Sequence, residues 1–466
     1  MHTIQEDFKL KKFLIFTFPI TLQVLLRNIV GLTDNFMVGV LGPDYMAALR
    51  ISTSYFFFFI VLLFAFSNAG SIIAGQLWGR GDKKEFYNVC GVTLFISTLI
   101  SLLFGLIMFF GSRVSAAIII SDAKIIQYSA EYMRVIAICF VFTGISIGMS
   151  VIFTSQGDTK IPFYQQVITT VLNVIFNYLL IFGNFGFPKL GVSGAAWSSL
   201  ISTLTGLLYM YIVAVRTGRL PSLQSIVRPA MSNIKEILHI GLPVLGDMFF
   251  WQFAMMVYLK FIGMAGKEAV AIYGVIGLFF SVLYLTVSGF VTGTGVSVSQ
   301  IIGAGKSDKA MKFGYKALWF SMLFGAVAGV LIILFSPLIP GIFKLEAQSV
   351  RFCIITIIIL GLRQPFATAN GVLPAAIRAG KDTKFPFFTS FIAFVMIGLP
   401  LTFLAGPVFQ LGIVGIFTAM TIEEISKSVI FFYRFRSGKW IKGKINSTMQ
   451  ADTEEMVRSN LLDENS

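Results

Sequence analysis

Long apolar runs alternate along this chain with short polar segments that carry most of its charge. An apolar run of about 20 residues is long enough to cross a bilayer as a helix. The pattern predicts twelve such helices, at 13–40, 47–77, 87–112, 126–155, 163–183, 190–215, 237–265, 270–302, 312–336, 349–378, 385–406 and 411–434. Several runs exceed a straight crossing, so we expect these helices to tilt or to extend beyond the lipid.

The second half of this pattern repeats the first at a constant offset, the one that separates Pro19 from Pro243. The same offset relates Gln76-x-x-Gly79-x-Gly81 to Gln300-x-x-Gly303-x-Gly305, and Asp158-Thr-Lys-Ile-Pro162 to Asp382-Thr-Lys-Phe-Pro386. We interpret the loop matches mainly as turn chemistry, because glycine permits tight turns and aspartate caps helices or pairs with an adjacent lysine. Two halves of like sequence predict a transporter with its site between the halves.

Composition places these halves in a membrane. Apolar residues make up 56% of the chain and charged residues 12%, with a mean hydropathy of +0.83. The formal charge of +14 is concentrated in alternate loops, whereas the opposite loops carry only Arg113, Lys124, Lys189, Lys267 and Lys344. Because Lys and Arg accumulate on the cytoplasmic side, we expect a multi-pass protein of the cell inner (plasma) membrane with both termini cytoplasmic. This distribution also argues against a nucleic-acid partner.

The expected architecture is an all-α polytopic membrane protein with 12 transmembrane helices. Six crossings return the chain to its starting side, so the halves form two parallel six-helix bundles related by a pseudo-twofold axis along the membrane normal. We predict an N-terminal lobe at 1–215, a cytoplasmic linker at 216–236, a C-terminal lobe at 237–445 and a disordered cytoplasmic tail at 446–466. We expect a monomer in contact with membrane lipids.

Several motifs of this chain resemble the multidrug and toxic compound extrusion (MATE) family. They are the six-plus-six helices, the basic Gln-x-x-Gly-x-Gly loops, a proline in the first helix of each half, the segment GLTDNFMVGVLG with Asp34, and the loops GDTKIPF and GKDTKFPF. The resemblance covers residues 8–440. It implies a secondary antiporter that exports amphipathic organic cations, such as drugs and toxins, in exchange for H⁺ or Na⁺ by rocker-switch alternating access.

Two alternatives stay open at this point. A flippase for lipids or lipid-linked oligosaccharides belongs to the same superfamily and would need cationic residues along its cavity. A membrane-embedded enzyme is a remote alternative, because the two histidines, His2 and His239, form no nucleophile–base or metal set. No GxxxxGK[ST] motif is present, so an ion gradient has to drive transport, and we expect no cofactor beyond the coupling ion.

The resemblance also implies a cation-coupling site in the first half. The helix-1 aspartate of the family, Asp34 here, binds the coupling ion, and its polar partners match Asn173, Asn177 and Ser199. A carboxylate held away from water takes up a proton more readily, which suits this task. The DinF-like type has an aspartate where this chain has Asn177, which puts a Na⁺ ion at Asp34 in doubt and favours proton coupling. The rival interpretation of Asp34 is an ion pair with Arg27, two turns away on one face.

Candidates for a substrate cavity lie in the second half: Asp247, Trp251, Gln252 and Met255 in helix 7, Arg363 in helix 10 and Glu424 in helix 12. Relatives of the NorM type have a glutamate at the Trp251 position and an aspartate near Ala367, so the chain looks closer to the DinF-like type. Glu423 and Lys427 are four residues apart and are expected to pair. Glu424 then has no obvious partner on its own helix and is a secondary candidate for binding a cationic substrate. Arg134 and Arg363 are candidate counter-charges to these acids, or contacts for anionic headgroups if lipids are the cargo. Asp247 is expected either to bind cargo or to pair with a base such as Arg363.

Overall fold

The computed structural model describes residues 8–343 and 346–441, and in this part of the chain it is built of helices and turns. Twelve long helices follow one another: α1 Leu10–Gly39, α2 Pro43–Arg80, α3 Lys83–Ile119, α4 Ala123–Ser155, α5 Lys160–Phe182, α6 Val192–Arg216, α7 Met231–Met264, α8 Lys267–Gly303, α9 Ser307–Phe335, α10 Ala347–Ala379, α11 Lys384–Val408 and α12 Gly412–Arg436. Shorter helical segments lie at Asn184–Gly186, Leu223–Val227 and Ile339–Ile342. The predicted succession of twelve helices is confirmed.

Ten of the twelve helices are long and apolar enough to cross a membrane, judged on the described residues. The other two are α8, where several side chains lie outside the described set, and α12, which carries Glu423, Glu424 and Lys427. A buried ionisable residue within a span points to function or to a pairing partner. The charged residues of α12 are therefore candidates for a functional role or for pairing with residues on other helices.

Helix boundaries follow from local signals in the sequence. Asp82 accepts a hydrogen bond from the Glu85 backbone N–H at the start of α3, and Asp122 does the same for Lys124 and Ile125 at the start of α4. Pro19 and Pro243 lie inside α1 and α7, as predicted. In α11 the regular helix is interrupted by two wider π turns, at Phe394–Gly398 and Leu404–Val408.

The bundle has two ends, which we name by their loops. The basic end carries the loops after α2, α4, α6, α8, α10 and α12, and the opposite end carries the loops after the odd-numbered helices. The linker predicted at 216–236 runs along the basic end, where Ser225 packs against Gly91 of α3. The linker is shorter than predicted, because α7 already begins at Met231. The predicted tail at 446–466 lies outside the described residues.

The internal repeat appears in the packing between the halves as well as in the sequence. Thr17 of α1 packs on Gly293 of α8, where a Cβ would meet Thr17 Cγ2 at 2.4 Å. The repeat-equivalent positions of this pair, Gly241 of α7 and Ala69 of α2, also pack together, and a Cβ on Gly241 would lie 3.5 Å from the Ala69 Cβ. The first helix of each half therefore lies against the second helix of the other half: α1 against α8, and α7 against α2.

The Gln-x-x-Gly motifs join the halves at the basic end. Gln76 Nε2 donates to the Ala379 carbonyl at 2.7 Å, and Gln300 Nε2 donates to the Ser155 carbonyl at 2.8 Å. A Cβ on Gly79 would lie 1.9 Å from the Gln300 carbonyl oxygen, and a Cβ on Gly303 would lie 1.8 Å from that of Gln76. We call these four residues, Gln76, Gly79, Gln300 and Gly303, the glutamine–glycine contact. Turn chemistry alone was too narrow an interpretation of the motif, although Gly81 and Gly305 do adopt left-handed turn conformations.

Candidate functional site

A buried carboxylate lies at the meeting point of α1, α5 and α6. Asp34 of α1 is 8% exposed and accepts a 2.5 Å hydrogen bond from Asn177 Nδ2. Asn177 Nδ2 also donates to Asn173 Oδ1 at 3.2 Å, and Asn173 Nδ2 donates to Ser199 Oγ at 3.2 Å. The i, i+4 spacing on α5 brings both amides to one face, so all four residues expected at the coupling site lie in one hydrogen-bonded chain.

Asp34 has amide rather than cationic neighbours. Among the described residues no base forms an ion pair with it, and Arg27 instead places its guanidinium over the Phe64 ring, 5.1 Å from the centroid. The rival prediction of an Asp34–Arg27 pair is therefore wrong for this conformation. Asn177 Oδ1 is buried beside the carboxylate and lacks a hydrogen-bond partner in the described part of the chain. An acceptor of this kind, next to a carboxylate, suits a protonated acid or a small cation.

The second half holds a compact cluster of charges between α7, α10 and α12. Arg363 Nη2 binds Glu424 Oε2 at 2.7 Å, and Asn370 Nδ2 donates to Glu424 Oε1 at 3.0 Å. Lys427 Nζ lies 3.0 Å from Glu423 Oε1, so the predicted i, i+4 pair is present. Glu424 therefore has a partner on another helix. It is Arg363, one of the two arginines expected as counter-charges, although the spacing within α12 does not reveal the contact.

The repeat relates this cluster to the Asp34 site. Tyr258 of α7 is the repeat equivalent of Asp34, and its hydroxyl donates to the carboxylate of Glu423. The first helix of the second half thus provides a phenol where α1 provides an acid, and the acid comes from α12. In the second-half cluster the negative charges of Glu423 and Glu424 are balanced by the positive charges of Lys427 and Arg363. The Asp34 site, by contrast, retains a single negative charge when its carboxylate is ionised.

Asp247 also proves to be paired, with a partner other than the expected one. Its carboxylate accepts a hydrogen bond from Arg378 of α10, near the basic end, while Arg363 is committed to Glu424. Asp158 and Asp382, expected to cap helices or to bind lysines, receive the guanidinium groups of Arg219 and Arg434 at 2.8 and 2.6 Å. These ion pairs connect loops and helix ends to one another at the basic end of the bundle.

The remaining cavity candidates differ in their surroundings. Trp251 is 46% exposed on α7 and Gln252 is half-buried, whereas Met255 packs at the edge of the second-half core. Two cavities elsewhere have volumes of about 360 and 130 Å³. The larger is lined by residues at the opposite end, including Tyr45, Tyr128 and Glu131, and neither includes the predicted cavity residues.

A family model named MatE matches the chain twice, at residues 19–179 and 243–404. The chain belongs to the MATE family of transporters. The two matches begin at Pro19 and Pro243, the positions that define the repeat. Membership makes the protein a multi-pass membrane transporter rather than an enzyme. Its assignment to the DinF-like type stays a prediction.

Relatives and solved structures agree with this placement. The chain is 27% identical over 430 residues to an uncharacterized transporter, YisQ, of Bacillus subtilis, covering 91% of this chain and 94% of that protein. It is 26% identical over 428 residues to a probable multidrug resistance protein NorM of Thermotoga maritima, covering 90% of each. Its fold matches an outward-facing multidrug resistance MATE family transporter with a TM-score of 0.85, at 17% identity, covering 95% of this chain and 99% of that structure.

Within this MATE fold, sequence reasoning missed two contacts: Arg378 with Asp247, and the glutamine–glycine contact. The Arg378–Asp247 ion pair joins residues that are 131 positions apart in the chain. A usable signal existed for the glutamine–glycine contact, because the same Gln-x-x-Gly spacing occurs in both halves, and interface residues of a pseudo-twofold pair have to repeat in this way.

Proposed function

We propose that this MATE transporter exports amphipathic organic cations in exchange for H⁺ or Na⁺, by alternating access of its two halves. The observation that supports this proposal most directly is the environment of Asp34. Its buried carboxylate accepts a 2.5 Å hydrogen bond from Asn177 Nδ2 and has no cationic partner among the described residues. Such a group is costly to keep ionised in a low-dielectric site, so it gains by taking up a small cation. The relatives named multidrug resistance proteins support the choice of cargo.

The packing between the halves supports the alternating-access part of the proposal. The glutamine–glycine contact and the Thr17–Gly293 contact hold the two halves together at the basic end. The positive-inside pattern assigns this end to the cytoplasm. The structure then corresponds to a state closed to the cytoplasm, and export requires these contacts to open and re-form in each cycle.

The identity of the coupling ion is the second part of this proposal, and the composition of the site favours a proton. Only one carboxylate lies in the Asp34 chain, with Asn177 where a second acid would add charge for Na⁺. Na⁺ remains the other candidate, because Asn177 Oδ1 and Asp34 both offer oxygen atoms.

Transport in purified proteoliposomes tests the function. The vesicles are loaded with a fluorescent lipophilic cation and exposed separately to an imposed pH gradient and an imposed Na⁺ gradient. We expect efflux driven by the pH gradient, abolished by a protonophore. Efflux driven by Na⁺ alone would assign the site to sodium, and no gradient-driven efflux of any of several cations would refute the antiporter.

A further inference from the structure

The larger of the two cavities opens at the opposite end of the first half. Its volume is about 360 Å³, which is room for several water molecules. Tyr45 of α2 and Tyr128 of α4 stack in its wall, with their ring centroids 4.5 Å apart. Glu131 of α4 and Lys189 of the α5–α6 loop add one negative and one positive charge. We call this cavity, which is also lined by Leu41 and Val192, the outer pocket.

The outer pocket lies beyond the Asp34 site on two of the helices that build that site. Leu41 follows Asp34 by seven residues, along α1 and the turn after it, and Val192 precedes Ser199 by seven residues on α6. Seven residues of helix span about 10 Å. Both helices therefore lead from the buried carboxylate to the pocket over a similar distance.

A buried apolar cluster lies between the pocket and the site. It contains Val38, one turn beyond the carboxylate, and Val192, which also lines the pocket. Leu41, Tyr45 and Tyr128 of the outer pocket pack against the same cluster. Hydrophobic constrictions gate the passage of ions by dewetting. This layer therefore separates the carboxylate from the outer pocket in the present conformation.

The internal repeat indicates which of these features the fold requires. After a short deletion, Gly191-x-x-Gly194 corresponds to Gly412-x-x-Gly415, which fixes the equivalence of the last helices of the two halves. The second half replaces the four polar residues of the Asp34 site with Tyr258, Ile397, Leu401 and Met420. It replaces the two tyrosines, the acid and the base of the outer pocket with Ala269, Phe352, Ile355 and Gln410. The polar pocket thus accompanies the buried acid, whereas a feature that serves the fold, such as the glutamine–glycine contact, is repeated.

The electrostatic potential of the outer pocket depends on Glu131 and Lys189. The other charged groups beside it, Asp44 and Lys124, form an ion pair at 2.9 Å and largely cancel. The hydroxyls of the two stacked tyrosines lie 3.3 Å apart and bond to each other. Glu131 accepts a hydrogen bond from Gln127 Nε2 at 2.9 Å, which does not neutralise its charge. Glu131 therefore attracts small cations to the pocket, and Lys189 opposes this attraction.

The positive-inside pattern assigns this end of the bundle to the outside. We propose, on the basis of the function proposed above, that the coupling ion reaches Asp34 from the outside through the outer pocket, by a path separate from the one that cargo takes between the halves. Glu131 raises the local concentration of cations at the entrance, and displacement of the layer at Val38 and Val192 admits the ion to the carboxylate. An incoming ion and an outgoing cationic cargo then do not share one passage, where their like charges would repel each other.

A thiol in the pocket wall allows this path to be blocked without altering the Asp34 site. Leu190→Cys is made in a background without Cys90, Cys139 and Cys353, and the purified protein is labelled with a bulky methanethiosulfonate before reconstitution. Labelling should reduce gradient-driven efflux to the rate seen without a gradient, while the affinity for the fluorescent cation stays unchanged. The matched control is Leu411→Cys, the repeat equivalent, which is exposed at the same end of the second half. Labelling of this control should leave both measurements unchanged.

Two results of the labelling experiment would overturn the proposal. Unchanged efflux after complete labelling of Leu190→Cys would mean that the ion takes another path. Loss of cargo binding on labelling would make the outer pocket part of the cargo path. Each labelled protein is compared with the same protein before labelling, so a folding defect of the variant does not imitate the expected result. Absence of gradient-driven efflux in the wild type would instead refute the antiporter itself.

The two charges of the outer pocket provide a second test, in which the expected effects have opposite signs. At low ionic strength and under a weak gradient, Glu131→Gln should slow efflux and Lys189→Gln should accelerate it, each by about two- to fivefold. Added salt should reduce both effects, because it screens exposed charges. Glu131→Asp should restore most of the rate, and Lys267→Gln, which removes an exposed lysine at the same end of the second half, should leave the rate unchanged. Changes of the same sign in both pocket variants, or no change in either, would overturn the proposal.

Discussion

Gln76 and Gln300 are repeat equivalents and make the same hydrogen bond in opposite directions across the two halves. Gln76 reaches the Ala379 carbonyl at the end of α10, and Gln300 reaches the Ser155 carbonyl at the end of α4. Ser155 and Ala379 are themselves related by the repeat. The basic end is therefore closed by a contact with twofold symmetry, in which each motif is both donor and close-packing partner.

We expect removal of both glutamine side chains to favour opening at the basic end. Each hydrogen bond contributes about 1 kcal/mol, so Gln76→Ala with Gln300→Ala should shift the closed-to-open ratio by roughly 5–30-fold. Spin labels at Lys84 and Asp308, which are exposed at this end, report the distance between the halves in a cysteine-free background. A longer distance should gain population. Gln224→Ala, on the exposed linker, serves as the control, and an identical distance distribution in all three proteins would refute the contact's role.

The glycine of the same contact should be intolerant of even one methyl group. A Cβ on Gly303 would lie 1.8 Å from the Gln76 carbonyl oxygen, a distance that only a shift of backbone can relieve. Gly303→Ala should therefore insert in the membrane but fail to close at the basic end, with transport reduced at least about tenfold. Gly274→Ala is the matched control, since its Cβ would meet nothing within 4 Å. Wild-type transport by Gly303→Ala would contradict this packing.

The second-half charge cluster should contribute mainly to stability. Arg363→Met removes the 2.7 Å partner of buried Glu424 and leaves it only Lys427, whose Nζ lies 3.9 Å away and already binds Glu423. Breaking a buried ion pair typically costs about 3–5 kcal/mol, and Lys427 should hold the loss near the lower figure. The double variant Arg363→Met with Glu424→Gln removes both charges and should recover much of that loss. Thermal unfolding in detergent measures both. If Glu424→Gln alone abolished cation transport while leaving the unfolding temperature unchanged, Glu424 would belong to the cargo site after all.

Asn177→Asp should change the ion preference. A second carboxylate within hydrogen-bonding distance of Asp34 adds negative charge that a proton shared between the two acids, or a Na⁺ ion, can neutralise. We expect the variant to acquire Na⁺-stimulated efflux, measured as the rate with and without Na⁺ at constant pH. Asn173→Asp, one turn away on the same face, tests whether the position of the charge matters. Absence of any Na⁺ effect in both variants would contradict the prediction that a second carboxylate beside Asp34 creates a Na⁺ site.

The sequence predicted the helices far better than the contacts between them. Apolar runs are a local property, so the predicted ends of α5 and α12 fall within three residues of the observed ends. The proximity of Asp34 and Asn177 was predicted from the family resemblance together with helical periodicity. The partners of Glu424 and Asp247 depend on how α10 packs against α12 and α7, which no spacing within one helix encodes. The π turns of α11 lie beside Pro400 and around Pro407, which lack the backbone N–H of a regular helix, and this signal in the sequence was not used.

The most direct test of the account is gradient-driven efflux by Asp34→Asn, which keeps the size of the side chain and one oxygen that can accept from Asn177 but removes the charge. The variant should fold and bind the fluorescent cation, yet show no efflux in response to an imposed pH or Na⁺ gradient. Asn35→Ala, which removes an amide that donates to the Gly31 carbonyl of its own helix, should retain efflux. Gradient-driven efflux by Asp34→Asn at the wild-type rate would contradict the central claim that this buried carboxylate couples ion entry to export.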